Sequence, residues 1–132
     1  MKRRIKVIVM AVSVLLCLTV TQGQCHAANW LSVATNKDDL SEWYIDIDSI
    51  KVDKKSFTII AWTKVNYPTK EFSINLALFN YKGRYFQWLQ LEWYDPDGKH
   101  KHIDGKNEII YIPPGSVMEI VFNKLLEITA LK

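Results

Sequence analysis

Cysteine is nearly missing from this sequence: of 132 residues only Cys17 and Cys25 carry a thiol, and both lie near the N-terminus. Beyond residue 25 the chain can therefore form no disulfide, no thiolate-ligated zinc site and no Cys nucleophile. Glycine and proline are also few, at five and four, and they fall where turns are needed rather than in repeats or linkers. Enzyme signatures are lacking too. The chain has no Gly-x-Ser-x-Gly elbow, phosphate loop, His-Glu-x-x-His pair or dinucleotide fingerprint, so it reads as non-enzymatic and without a cofactor. A net charge of +3, from 17 Lys and Arg against 14 Asp and Glu, is too mild for a nucleic-acid binder.

What charge excess there is sits at one end. Lys2, Arg3, Arg4 and Lys6 precede an apolar run from Val7 to Val20, and Thr21-Gln22-Gly23-Gln24 then leads into Cys25-His26-Ala27-Ala28. These are the three parts of a secretory signal peptide, with cleavage expected after Ala27. An apolar run of about 14 residues falls short of the roughly 20 that a bilayer-spanning helix needs, so no membrane span is expected. Neither cysteine has the setting that lipid attachment requires, because Cys25 follows Gln22-Gly23-Gln24 and Cys17 lies inside the apolar run. The sequence thus divides into a signal peptide, residues 1–27, and one domain, residues 28–132, exported to the periplasm or the cell surface. That domain keeps 13 basic and 14 acidic side chains together with all five Trp, six Tyr and five Phe. So many aromatics can supply a core without metals or disulfides.

Residue patterning predicts an antiparallel sheet of about six strands with one C-terminal helix, an α+β domain. Strands are expected at 30–34, 42–47, 56–67, 72–81, 84–94 and 99–103, with a short extended piece at 108–112 and a turn at Asp48-Ser49-Ile50-Lys51. Pro68 ends the third strand. Lys82-Gly83 should form a tight hairpin in which Gly83 takes positive φ, and Asp95-Pro96-Asp97-Gly98 a second turn. After Pro113-Pro114-Gly115, the spacing of Ser116 and Glu119 matches a capping box, which starts a helix. Glu119, Asn123 and Glu127 form its polar stripe, leaving Met118, Val121, Phe122, Leu125 and Leu126 to lie on the sheet.

Three constellations could carry function. His100 and His102 alternate onto one strand face with Asp95, Asp97 and Asp104 nearby, a donor set that could hold zinc or copper; equally, the aspartates are explained by turn chemistry and the histidines by an exposed edge. Asp46 and Asp48 alternate on one side of a strand, as paired carboxylates or as solvated charges. Aromatics are the third. Simple alternation along 84–94 puts Phe86, Trp88 and Tyr94 on one side and Tyr85, Leu89, Leu91 and Trp93 on the other, so both faces are apolar while a single helix can cover one. The uncovered face could fill a two-sided core, bind a protein or a second copy of the chain, or stack sugars. Trp62, Phe86 and Trp88 are its expected binding residues, with Lys82 and Arg84 at the hairpin tip as a polar rim.

Trp30-x-x-Val33, Tyr44-Ile45-Asp46 with Ser49-Ile50, Trp62-Thr63-Lys64, Tyr94-Asp95-Pro96-Asp97-Gly98-Lys99 and Ile112-Pro113-Pro114-Gly115-Ser116 follow one another in an order that resembles the surface-adhesin protein E family of small exported bacterial proteins. The resemblance spans the whole of 28–132. It implies a sheet carrying a C-terminal helix, exposure on the bacterial surface, and adhesion to host extracellular-matrix or plasma proteins. It also implies a disulfide between helix and sheet, and here the corresponding stretches, Asn75 to Leu78 and Ile128 to Lys132, hold no cysteine. A lipid anchor is implied as well and has no attachment motif. The expected function is an adhesin-like interaction module; the alternatives are a periplasmic binding protein for a metal or carbohydrate and a structural subunit of the envelope.

Overall fold

Side chains that alternate with a period of two build the middle of the molecule, because successive residues of a strand face opposite sides of a sheet. The computed structural model describes residues 27–131. Its strands are β1 (Trp30–Thr35), β2 (Glu42–Asp46), β3 (Lys51–Asp53), β4 (Thr58–Asn66), β5 (Phe72–Asn80), β6 (Tyr85–Tyr94), β7 (His100–Asp104) and β8 (Ile110–Tyr111), followed by the helix α1 (Val117–Thr129). All eight strands join one antiparallel sheet in the order β1-β2-β4-β5-β6-β7, with β3 added to β4 and β8 to β6. The expected α+β architecture is the one observed. Of the expected signal peptide, residues 1–26 lie outside the described residues; among those described, no helix is long and apolar enough to cross a membrane.

The strand count exceeds six because both long outer ladders are split. β2 pairs with Thr63–Asn66 of β4, and β3 with Thr58–Ile60. Between them the chain makes one 3₁₀ turn, Ile47–Ser49. Ser49 closes the gap, its Oγ donating to the Asp46 carbonyl at 2.7 Å and accepting the Trp62 amide at 2.9 Å. On the other side β8 pairs with Tyr85 and Phe86, and β7 with Gln90–Tyr94. There the Gly105 amide donates to the Leu89 carbonyl at 3.0 Å, and the Gln87 side-chain amide to the Asn107 carbonyl at 2.9 Å. A three-residue strand such as β3 is too short to show a period, which is why the sequence reads only a turn there.

The glycines mark two close approaches. A Cβ on Gly105 would fall 1.8 Å from the Trp88 carbonyl oxygen, so this position admits no side chain. At the β5–β6 turn the positive φ belongs to Arg84 (51°) and not to Gly83. Gly83 is there for space: an added Cβ would meet the Tyr85 ring at 2.8 Å. The second turn forms as its residues dictate, with Asp95 Oδ1 accepting the Asp97 and Lys99 amides and Gly98 at a φ of 80°.

Ser116 caps α1, its Oγ accepting the Glu119 amide at 3.2 Å. Glu119 reaches back to the Gly115 amide at 2.8 Å, one residue earlier than a reciprocal box would require. The helix ends at Ala130, whose left-handed φ of 54° lets its amide and that of Leu131 cap the last turn. Met118, Val121, Phe122 and Leu125 are buried and meet Ile45, Ile59, Ala61, Ala77, Phe79, Phe86 and Ile112 on one face of the sheet. Phe79 sits between Phe86 and Phe122, at centroid distances of 6.0 and 6.4 Å. Burying each such side chain is worth about 1.5–3 kcal/mol. Packing thus docks the helix without a disulfide, helped by Arg84, which bonds Glu119 at 2.8 Å and lies over the Phe122 ring at 5.3 Å.

Candidate interaction surface on the open sheet face

β4 and β5 alternate strictly between buried and half-buried residues, so each contributes one row to the helix side and one to the other face. The rows are unequal. On β5 the buried row is Ser73, Asn75, Ala77 and Phe79, whereas the half-buried row is Phe72, Ile74, Leu76 and Leu78. Cross-strand register joins the half-buried row to β4 and β6 as Ile60–Leu78–Gln87, Trp62–Leu76–Gln90, Lys64–Ile74–Glu92 and Asn66–Phe72–Tyr94. Among the described residues no helix or strand lies over this face.

One end of the face is a stack that runs across four strands. Lys64 places its ammonium 5.2 Å over the Phe72 ring, Phe72 stacks on Tyr94 at 4.5 Å, and Tyr94 stacks on His100 at 4.8 Å. Next to it Glu92 is gripped on both oxygens: Gln90 Nε2 donates to Oε1 at 2.6 Å, His102 Nδ1 pairs with the same oxygen, and His100 Nε2 pairs with Oε2. The second ring nitrogen of His102 reaches Asp104 Oδ1 at 2.9 Å. Gln90 first, and then the two imidazoles, hold the Glu92 carboxyl at about 2. Glu92, and after it Asp104, raise the His102 pKa by favouring the imidazolium. His100 and His102 do share a face, and the residue that joins them is Glu92, which the sequence did not single out. This pairing satisfies the imidazoles with a carboxylate, and among the described residues no three His, Cys, Asp or Glu side chains converge to hold a metal ion.

The expected binding residues do not share a surface. Trp62 is on the open face. Phe86 is buried in the core under α1, with Trp88 against it edge-to-face at 5.2 Å. Simple alternation fails along β6 because the register steps from Leu76–Gln90 to Ala77–Trp88, leaving Leu89 unmatched in a bulge. Beyond the bulge every side chain changes face, so Tyr94 joins Gln90 and Glu92 on the open side, and Leu91 and Trp93 oppose Asn75 and Ser73 on the covered one. Lys82 and Arg84 do sit at the hairpin tip, but both cations lie over rings on the molecule itself, Lys82 over Phe57 at 4.7 Å and Arg84 over Phe122. Asp46 and Asp48 are not a carboxylate pair on a strand: Asp46 ends β2 and Asp48 lies in the 3₁₀ turn, with Asp46 Oδ1 accepting the amides of Asn29 and Asp48.

Ile74, Leu76 and Leu78 were passed over in the sequence, although their signal was present. Along 72–78 the larger apolar residues occupy one parity and Ser73, Asn75 and Ala77 the other, which Phe79 joins, and only the tertiary packing tells which parity is inside. Asn75 shows the cost of that choice: its Nδ2 donates to Ser73 Oγ at 3.0 Å, while its Oδ1 is buried without a partner. No protein-family model matches the chain, and no curated protein sequence matches it.

Proposed function

We propose that this chain is an exported, non-enzymatic interaction module that binds a protein partner of the host matrix or plasma through its open sheet face, in the manner of the protein E-like adhesins it resembles. The observation that carries this reading is strand β5, which turns Phe72, Ile74, Leu76 and Leu78 away from the helix while Ser73, Asn75 and Ala77 share the interior with Phe79. Contiguous apolar surface on one face, edged by charged groups such as Lys64, Glu92 and Asp104, is the composition of a protein-binding patch.

Immobilised matrix and plasma proteins, titrated with the purified chain, test the proposal. Saturable binding to at least one of them is expected, abolished by Leu76→Asp and retained by the core-facing Ala77→Ser. No saturable signal with any of them removes adhesion, and binding that survives Leu76→Asp removes this face.

A further inference from the structure

We infer that the open face carries, beside any protein-docking role and independently of it, a binding site for a small quaternary ammonium ion. A recess of about 290 Å³ opens there between strands, lined by Trp30 of β1, Asp46 of β2, Trp62 of β4, Ile74 of β5, and Glu92 and Tyr94 of β6. Among the described residues this lining is one-sided in charge: two carboxylates, three aromatic rings, and no lysine or arginine. The cation closest in register, Lys64, is drawn aside over Phe72. Among the described residues neither the Trp30 nor the Trp62 indole is paired with another ring or covered by a cation, so both remain available to a ligand, whereas Tyr94 is clasped between Phe72 and His100 and serves as a fixed wall.

The hydrogen-bonding state of the carboxylates selects among ligands. Both Glu92 oxygens are engaged by Gln90, His100 and His102, and Asp46 Oδ1 by two backbone amides. Their charge is held in place while much of their accepting capacity is used up. A sugar or an amide, which needs acceptors and donors of its own, gains little from such groups. A metal ion needs several converging donor atoms free to coordinate it, and no such group forms among the described residues. A quaternary ammonium ion needs neither: it donates no N–H, its charge is attracted by fixed carboxylates and by indole faces, and its methyl groups bury against Trp62 and Ile74. The recess is near the lower limit of ligand-site volumes, which matches a head group of choline size.

The test is a titration of the protein, purified as the cell produces it, with choline and with 3,3-dimethylbutan-1-ol, the uncharged molecule of the same shape, followed by calorimetry and by broadening of the ligand methyl resonance. Choline should bind saturably, with the neutral isostere weaker by about tenfold or more, and Asp46→Asn and Trp62→Leu should each weaken choline by about fivefold or more. Cleavage after Ala27 would bring the α-ammonium of Ala28 to the rim of the same recess; it would raise the choline concentration required without altering the preference for charge. The inference fails if choline does not saturate, if the isostere binds equally well, or if Asp46→Asn leaves choline binding unchanged. Asp46→Asn decides the matter by itself should Trp62→Leu not fold. Loss of protein binding with choline binding intact would overturn only the docking reading.

Discussion

The two faces of the sheet are made by the same strands, yet they carry different chemistry. Under α1 the residues are fitted to one another: Phe79, Phe86 and Phe122 interlock, and small side chains such as Ala61 and Ala77 let the helix approach. Across the sheet, Ile60, Trp62, Ile74, Leu76 and Leu78 are half-buried, and among the described residues no helix lies above them. An amount of apolar surface is therefore a poor guide to the inside of this protein. What separates the faces is complementarity to α1, and stability should be concentrated on one face and recognition on the other.

The largest expected effect tests the covered face. Phe122→Ala opens a cavity against Phe79 and removes the ring beneath Arg84, and chemical denaturation should show a loss of about 3–5 kcal/mol. Gly105→Ala comes next. Its Cβ cannot coexist with the Trp88 carbonyl, so the backbone must separate at the β6 bulge, at a cost of about 3 kcal/mol, with amide exchange accelerating in β7 before the rest of the sheet. Leu76→Thr, on the open face, keeps strand propensity and should cost under about 1 kcal/mol while weakening protein binding; a loss as large as that of Phe122→Ala would mean that the open face is a second core.

The smallest effect is a pH profile. Glu92 has its carboxyl lowered to about 2 by Gln90 and the imidazoles, so the stability it contributes is present above its ordinary value of about 4.3 and is lost as pH falls through the folded value. His102 is raised, so its contribution is complete below about 6.5 and fades as pH rises through its folded value. Together they place a shallow maximum of thermal stability between about pH 4.5 and 6.5. Both groups are near solvent, so the maximum should be low and should shrink in high salt. Glu92→Gln should flatten the profile, and an unchanged profile would show that the histidine pairs do not form in solution.

Much of the fold was legible because its signals are local. Pro68, Asp95-Pro96-Asp97-Gly98 and Ser116 with Glu119 are turns and a cap whose geometry depends on residues a few positions apart, and each forms where it was expected. The candidate site was legible only in part. Trp62 was identified, and so was the shared face of His100 and His102. Glu92 was not, because its contacts with His100 and His102 span eight and ten residues across two strands. Unbroken alternation groups Phe86 and Trp88 with Tyr94, and one unmatched residue, Leu89, is enough to put Tyr94 on the open face and leave Phe86 and Trp88 on the covered one.

The sequence by itself determined an α+β chain with a basic and apolar N-terminal segment, no thiol beyond residue 25, and strands and a capped helix in a definite order. These are properties of composition and of neighbours along the chain. Tertiary structure alone decided which parity of β5 the helix covers, where the β6 register slips, and how Glu92 is gripped by two histidines. Such choices depend on surfaces that meet only after the strands have paired, and a period of two specifies that a strand has two faces without specifying which one is buried.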